Sequence, residues 1–478
     1  MLNSKNPRLV PSVLALAALM LTGCAMAPAY QRPDAPVPQH WAASAQAQPL
    51  PDTIPEWRDF VTDPAARRLV ERALENNRDL RQSLLNIQAA RAQYRIGRAD
   101  RLPALAAQAS GTRQRTPADL SSTGTAAVGQ SLQAGVGIAA FELDLFGRVQ
   151  SLSDAALQDF LATQEAGRTA QLSLVAEVVQ AYLAQSSAQR RLGLTQLTLE
   201  ARQRSLQLMT LRRASGASSA VDYQEALGLA EQAQAELERG TRELAQATNA
   251  LALLTGDHQL VRQLPLPAAG QAVVQQELRP GMPAELLQRR PDILAAEHQL
   301  KGRNADIGAA RAAFFPRISL TGFLGSSSAE LSRLFEGGQS SWSFAPQLTL
   351  PIFDAGRNQA NLDLARVRKD MAVAKYEATI QTAFREVSDA LVATDTLRRE
   401  EAARAALAAS SEAALTLSEA RYRAGLDSHL RYLDAQRSSY ANEIALIEAQ
   451  TQRQTALVSL FRVLGGAWSA TTASQAAR

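Results

Sequence analysis

The sequence predicts a mixed α/β membrane protein made of two copies of one unit, in which very long helices accompany a few short membrane-type strands. Three observations carry this reading: a repeat at constant offsets, helical patterning that continues for more than sixty residues in each copy, and four segments of alternating apolar and polar residues.

The repeat organises everything else. Asn77-Arg78-Asp79-Leu80 and Arg290-Pro291-Asp292-Ile293 each open a helical stretch that ends at a proline, Pro103 or Pro316, and both pairs lie 213 residues apart. Further on, Val221, Tyr223, Glu225 and Ala226 return as Leu430, Tyr432, Asp434 and Ala435 at an offset of 209, which also relates Gly216 and Gly256 to Gly425 and Gly465. Each copy reads helix, two strand-like segments, a very long helix, and a second long helix. The first copy covers residues 61–270, with strands at about 104–116 and 131–146, and the second covers 271–466, with strands at about 317–327 and 341–353.

The helices follow from composition and period. Aromatic residues are only 5% of the chain, and Ala, Leu, Gln, Glu and Arg, which lose little side-chain freedom in a helix, crowd the sequence. Helical patterning runs from about Val149 to Arg213 and again from about Gly356 to Arg423. At about 1.5 Å per residue each helix is on the order of 100 Å long, more than a globular core requires. In the second long helix of the first copy, Ala230, Ala233, Leu237, Leu244, Ala247, Leu251 and Leu254 form a coiled-coil seam that packs and binds nothing.

The strand segments have one greasy and one wet face. Trp342, Phe344, Leu348, Leu350 and Ile352 alternate with Ser343, Gln347 and Thr349, and Leu132, Ala134, Val136 and Ile138 alternate with Gln133, Gly135 and Gly137. Ile318, Leu320 and Leu324 oppose Ser319 and Thr321, while the segment from Leu105 to Thr112 alternates least. Four strands cannot close a membrane barrel, for which about eight is the minimum, and lipid tolerates no open edge. If these strands span a membrane, two or three chains must share one barrel.

The termini read as targeting and tether. Residues 1–23 carry Lys5 and Arg8, an apolar run from Val10 to Leu21 too short to span a bilayer, and a small-residue cleavage region, and so form a signal peptide. Cys24, the only cysteine, follows Leu21-Thr22-Gly23 and is the expected site of a covalent lipid; no other cofactor is expected. Residues 24–60, with prolines at 28, 33, 36, 38, 49, 51 and 55, read as a lipid-anchored tether, and 467–478 as a flexible tail.

Other function classes lack their residues. The net charge of +4 is small, and acidic and basic residues interleave, as in Arg398-Arg399-Glu400-Glu401, so no nucleic acid is expected as a partner. The four histidines, His40, His258, His298 and His429, are scattered, and neither a phosphate-binding loop nor a nucleophile elbow is present, so the chain is not read as an enzyme.

Arg289-Arg290-Pro291-Asp292-Ile293, Ala296-Glu297, Ile307-Gly308, Ala310-Arg311-Ala312-Ala313-Phe314-Phe315-Pro316 and Ile318-Ser319-Leu320-Thr321-Gly322 closely resemble the signature stretch of the outer membrane factor family. Phe353-Asp354-Ala355-Gly356-Arg357 and Tyr422-Arg423-Ala424-Gly425 fit as well. These are the TolC-like ducts of tripartite efflux pumps, and the resemblance is to the lipoprotein branch that serves resistance-nodulation-division transporters. It implies a homotrimer with a twelve-stranded β-barrel in the outer membrane, four strands per chain, continued by a helical tunnel in the periplasm. It further implies a periplasmic adaptor, an inner-membrane pump, and export of small amphiphilic compounds such as antibiotics, dyes or detergents. Ducts for protein secretion or metal-ion export, and a lipid-anchored coiled-coil scaffold without a pore, are the competing readings.

Leu430, Asp434 and Arg437 fall at i, i+4 and i+7 and share one helix face. The resemblance implies that they form a periplasmic gate, with an apolar ring and a ring of like charge where copies meet. Glu225, at the repeat position of Asp434, with Tyr223 and Tyr432, is expected to support it. His429 adjoins the gate with no carboxylate partner visible in the sequence, and is not read as a pH sensor.

Overall fold

The computed structural model describes residues 26–36, 55–122, 124–268, 270–278 and 286–466; the leader, Cys24, the middle of the proline-rich tether and the tail 467–478 lie outside them. The first copy runs α1 (Trp57–Phe60), α2 (Pro64–Asn76), α3 (Arg78–Ala99), β1 (Leu105–Thr116), β2 (Ala127–Leu143), α4 (Arg148–Ala214), α5 (Ala220–Thr255) and α6 (His258–Gln263). The second runs α7 (Leu286–Arg289), α8 (Pro291–Ala312), β3 (Arg317–Ser328), β4 (Ser340–Thr349), α9 (Arg357–Arg423) and α10 (His429–Val463). Corresponding elements match in length: α3 and α8 have 22 residues, β1 and β3 have 12, and α4 and α9 have 67. The duplication inferred from residue offsets is thus a duplication of structure.

The strands form one antiparallel sheet in the order β1-β2-β3-β4. Within the chain β1 pairs only with β2 and β4 only with β3, which leaves both outer edges unpaired. Registers such as Ala107↔Val136, Val136↔Leu324 and Leu324↔Trp342 put the apolar residues of all four strands on one face. That face is exposed in the single chain, Trp342 by 74% and Leu348 by 63%. Gln108, Gln133, Ser319 and Gln347 lie on the other face. Among the described residues no helix is long and apolar enough to cross a membrane, so the sheet is the only described element with a membrane-type face.

A bulge keeps that face continuous. Ile138 pairs with Gly322 but Phe141 pairs with Leu320, so Ala139 and Ala140 oppose Thr321 alone, and Ala140 adopts a positive φ of 47°. Without the extra residue Phe141 and Leu143 would turn to the polar face and Glu142 to the apolar one. With it, Glu142 lies on the polar face and pairs with Arg148 at 2.7 Å and Arg317 at 2.5 Å.

Two strand limits differ from expectation. The strand expected at 131–146 is Ala127–Leu143, and the one expected at 341–353 is Ser340–Thr349. β2 ends early because an aspartate caps the following helix, and β4 ends where its partner β3 begins, with Thr349 opposite Arg317 and Pro351, which has no N–H for a ladder, just beyond. Asp144 accepts from the backbone N–H of Arg148 and Gln150, each at 2.7 Å, and Asp354 from Gly356 at 3.0 Å and Asn358 at 2.9 Å. The tether also ends earlier than residue 60, because Trp57 and Phe60 are apolar enough to be buried on a helical turn.

The chain divides into two compact units. One comprises 1–34, 87–163 and 295–376 and contains the sheet; the other comprises 35–86, 164–294 and 377–478 and contains the helix tips and most of the apolar core. In the first unit, residues 26–32 run antiparallel along α8. Arg311 donates to the Met26 carbonyl at 3.2 Å, Asn304 to the Pro28 carbonyl at 2.7 Å, and Arg32 to Glu297 at 2.5 Å. A Cβ on Gly308 would stand 2.8 Å from the Ala27 nitrogen, so that approach requires glycine. Glu297 also pairs with Lys301 at 3.0 Å. Burial alone would push its carboxyl up, but Arg32 and Lys301 more than offset this and hold it below the usual carboxylate range.

In the second unit Phe60 stacks on Phe461 at 4.3 Å, and Val61 bridges to Val274. The expected seam of α5 is present, with Ala230, Ala233 and Leu251 buried and the other positions half-buried. The two copies join their helices in equivalent ways. Asn77 at the start of α3 donates to the Leu254 carbonyl at 3.0 Å, and Arg290 before α8 donates to the Val463 carbonyl, 209 residues further on, at 3.1 Å. Arg290 is 6% exposed and also binds Asp292 at 2.6 Å and Glu386 at 2.8 Å. Burial alone would lower its pKa, yet the two carboxylates reverse the shift and hold the guanidinium charged. Arg290→Ala leaves two acids without their buried counter-ion and should cost about 3 to 5 kcal/mol. A thermal midpoint for the far-ultraviolet helix signal that matches wild type would remove Arg290 from this role.

Candidate functional site

The two long hairpins turn at 215–219 and 424–428, with Gly216 and Gly425 at positive φ of 75° and 76°. The helices that follow begin differently. At α5 the Ser219 hydroxyl accepts from the Asp222 N–H at 3.0 Å and the Asp222 carboxylate accepts from the Ser219 N–H at 3.1 Å, a complete capping box. At α10 the N-cap Ser428 makes no side-chain cap hydrogen bond, no acid lies in the first turn, and Arg431 stands where Asp222 stands in the first copy. A cap contributes about 1 kcal/mol and a charge favourable to the helix dipole about 0.3 to 1 kcal/mol. The start of α10 lacks both.

Leu430, Asp434 and Arg437 lie on that weakly capped start. Leu430 is 53% exposed, and Asp434 and Arg437 bond each other through half-exposed side chains. Such a pair contributes little to stability in one chain, on the order of 0 to 1 kcal/mol, so its charges remain available to other partners. Tyr223 lies under the Arg213 guanidinium at 4.8 Å, and Tyr432 stacks on Tyr422 at 5.5 Å. Glu225 is exposed and enters no hydrogen bond or ion pair among the described residues.

The structure adds residues that the sequence did not single out. Arg212 at the end of α4 donates to the Tyr422 hydroxyl at 2.7 Å, and Tyr422 also contacts the His429 ring at 5.2 Å. The Nε2 of His429 lies 3.4 Å from the Ser205 hydroxyl, while its Nδ1 is buried without a hydrogen-bond partner. This cluster ties the tip of α4 to the turn before α10. Its one sequence signal is Tyr422 at the repeat position of Arg213, so that each copy covers its tyrosine, 223 or 432, from the same place with a different side chain.

His429 forms no ion pair with a carboxylate among the described residues, although Asp222 and Glu225 act on it through space. Burial pushes its pKa down and Arg212 adds to that, while Asp222 and Glu225 act against it; the net direction is down. Among the described residues no group of three or more His, Cys, Asp or Glu side chains is placed to hold a metal ion. Cys24 lies outside the described residues, and the nearest described segment, from Met26, begins beside the last turn of α8 that leads into β3.

A histidine whose folded pKa is depressed prefers the packed state when neutral. Its contribution is complete above the ordinary value of about 6.5 and is lost as pH falls below it toward the depressed value. Amide exchange over 429–437, corrected for intrinsic rate, should therefore quicken between about pH 7.5 and about pH 5.5, and His429→Gln should flatten the change. An equal pH response in the variant would exclude His429 as the cause.

The sequence model described as "Outer membrane efflux protein" matches residues 69–257 and again 282–466, once on each copy. The chain is 61% identical over 454 residues to outer membrane protein OprJ of Pseudomonas aeruginosa, with 95% of each chain covered. It is 44% identical over 459 residues to solvent efflux pump outer membrane protein SrpC of Pseudomonas putida, covering 95% of this chain and 97% of that one. The crystal structure of the open state of the Neisseria gonorrhoeae MtrE outer membrane channel superposes with a TM-score of 0.83 at 39% identity, covering 93% of this chain and 98% of that one. The chain belongs to the outer membrane efflux protein family and has its fold, a trimeric outer-membrane barrel to which each chain gives four strands, continued by a helical tunnel in the periplasm.

Proposed function

We propose that this efflux protein is the passive exit duct of a tripartite pump, passing small amphiphilic compounds such as antibiotics, dyes, detergents or solvents and catalysing no reaction. The observation that carries this reading is the four-stranded sheet with one apolar exposed face and two unpaired edges. Three chains give twelve strands, which encloses a lumen wide enough for solutes of this class. A periplasmic adaptor docks at the helical end, and an inner-membrane resistance-nodulation-division pump supplies the energy.

Leu430, Asp434 and Arg437 form the resting constriction, with Tyr223, Glu225 and Tyr432 as supports. The missing cap on α10, set against the capping box on α5, supports this assignment, since the helix start that must move is the less stable of the two. Cys24 carries the covalent lipid. Support for this comes from the strap of residues 26–32 along α8, which begins beside the entry to β3 and so beside an element of the barrel.

Deleting the gene should sensitise the strain to dyes, detergents and antibiotics, and unchanged sensitivity to all three would contradict the efflux reading. In planar bilayers, Asp434→Ala should raise single-channel conductance or remove block by divalent cations. A trace indistinguishable from wild type would take Asp434 out of the constriction. Loss of metabolic palmitate labelling in Cys24→Ser is the expected outcome for the anchor, and a wild-type protein that takes up no label would refute it.

A further inference from the structure

The cleft between α4, α5 and α10 holds a buried arginine that no carboxylate touches among the described residues. It has a volume of about 380 Å³ and is lined by four arginines, Arg191, Arg202, Arg239 and Arg437, against the two acids Glu236 and Glu243. Three of the arginines have a carboxylate. Arg191 pairs with Glu243 at 3.2 Å and with Glu448 at 3.9 Å, Arg239 bonds Glu236 and lies 3.8 Å from Glu243, and Arg437 bonds Asp434 just outside the cleft.

Arg202 has none among the described residues, although it is the most buried of the four at 5% exposure. One terminal nitrogen donates to the Leu229 carbonyl at 2.9 Å, the guanidinium carbon lies 5.8 Å from the centre of the Tyr440 ring, and the Nε is buried without a hydrogen-bond acceptor. The Nε of Arg191 is likewise buried and unbonded. Arg239 and Arg437 are half-exposed, so an anion approaching from solvent meets cations before it reaches Arg202.

A buried guanidinium without a counter-ion is costly, and its planar donors match the oxygen atoms of a carboxylate or phosphate. The Thr195 hydroxyl donates to the Arg191 carbonyl at 2.8 Å and accepts from the Tyr440 hydroxyl at 2.9 Å, so the donors free to meet an ion in this cleft are those of the arginines. We propose that the cleft binds a small oxoanion, the carboxylate or phosphate group of a dissolved solute, with Arg202 as principal ligand and Arg191 beside it. An ion held there links Arg202 on α4 to Arg239 on α5 and Arg437 on α10, and so fastens the first hairpin to the helix that carries the proposed gate. The site stands on its own contacts and does not need the gate assignment.

Equilibrium dialysis of the purified full-length protein in detergent, with radiolabelled inorganic phosphate and the ionic strength fixed by sodium chloride, tests this directly. Saturable binding of one phosphate per chain is expected, weakened roughly tenfold or more in Arg202→Gln and less in Arg202→Lys, which keeps the charge and loses the fork. Displacement by acetate at lower concentration than by phosphate itself would assign the site to carboxylates; weaker displacement would assign it to phosphates. Absence of saturable binding of either anion to wild type, as when a neighbouring chain's carboxylate fills the cleft, overturns the proposal without recourse to any variant. Binding that survives intact in a folded Arg202→Gln also overturns it, since the ion would then lie elsewhere.

Discussion

A backbone N–H or C=O that faces hydrocarbon finds no water, and leaving it unbonded costs several kcal/mol. The outer edges of β1 and β4 present two rows of such groups, while the face between them carries Trp342, Phe344, Leu348 and Val136 in the open. The apolar face suits the sheet to lipid, and the open edges bar a single chain from entering it. Only pairing of β4 of one chain with β1 of the next satisfies both. A barrel shared between chains is therefore a consequence of backbone hydrogen bonding, and the duplicated unit supplies its strands two at a time.

That constraint explains details that otherwise look like irregularities. The bulge at Ala139 and Ala140 preserves the apolar face through Phe141 and Leu143, and it carries Glu142 to the side where Arg148 and Arg317 can neutralise it. Across the sheet, Gly135 lies opposite Gly325, and a Cβ on either would come within 2.4 Å of the partner strand's backbone oxygen. The polar face is so tightly curved at this pair that no side chain fits. Curvature of this sign is what a closing cylinder needs.

The fold was legible because its signals are local and repeated. Constant offsets exposed the duplication, and unbroken 3.6-residue patterning gave α4 and α9 to within a residue of their ends. The strands were less clear. Ala127, Val128 and Gly129 are too small and mixed to show alternation, so the pattern places the start of β2 late, and the one mark of the bulge is the shift of apolar residues from even to odd numbers after Ile138. The tip cluster was beyond reach for a different reason. Whether Tyr422 meets Arg212 and His429 depends on which helices pack side by side, and periodicity gives the apolar face of a helix without naming its neighbour. For the same reason Glu297 was visible as part of a family signature, while its work in holding residues 26–32 was not.

The two hairpins descend from one unit, so their differences show what each tip must do. Equivalent junctions elsewhere have kept their contacts: Asn77 and Arg290 bind corresponding carbonyls despite the change of residue, and Gly256 and Gly465, both at positive φ, lie against Asn76 at the end of α2 and Arg289 at the end of α7. At the tips the contacts themselves differ. The first copy closes its turn with Ser219 and Asp222, whereas the second places His429 and Arg431 at an uncapped helix start and holds the turn instead through Arg421 and Asp427 at 2.8 Å and through the Tyr422 stack. The Arg421–Asp427 pair is bidentate, at 2.8 and 3.2 Å, and it and the ring contacts can separate without breaking a helix. The second hairpin therefore holds its turn by side-chain contacts around the helix start, where the first holds it by a reciprocal cap within the helix start itself.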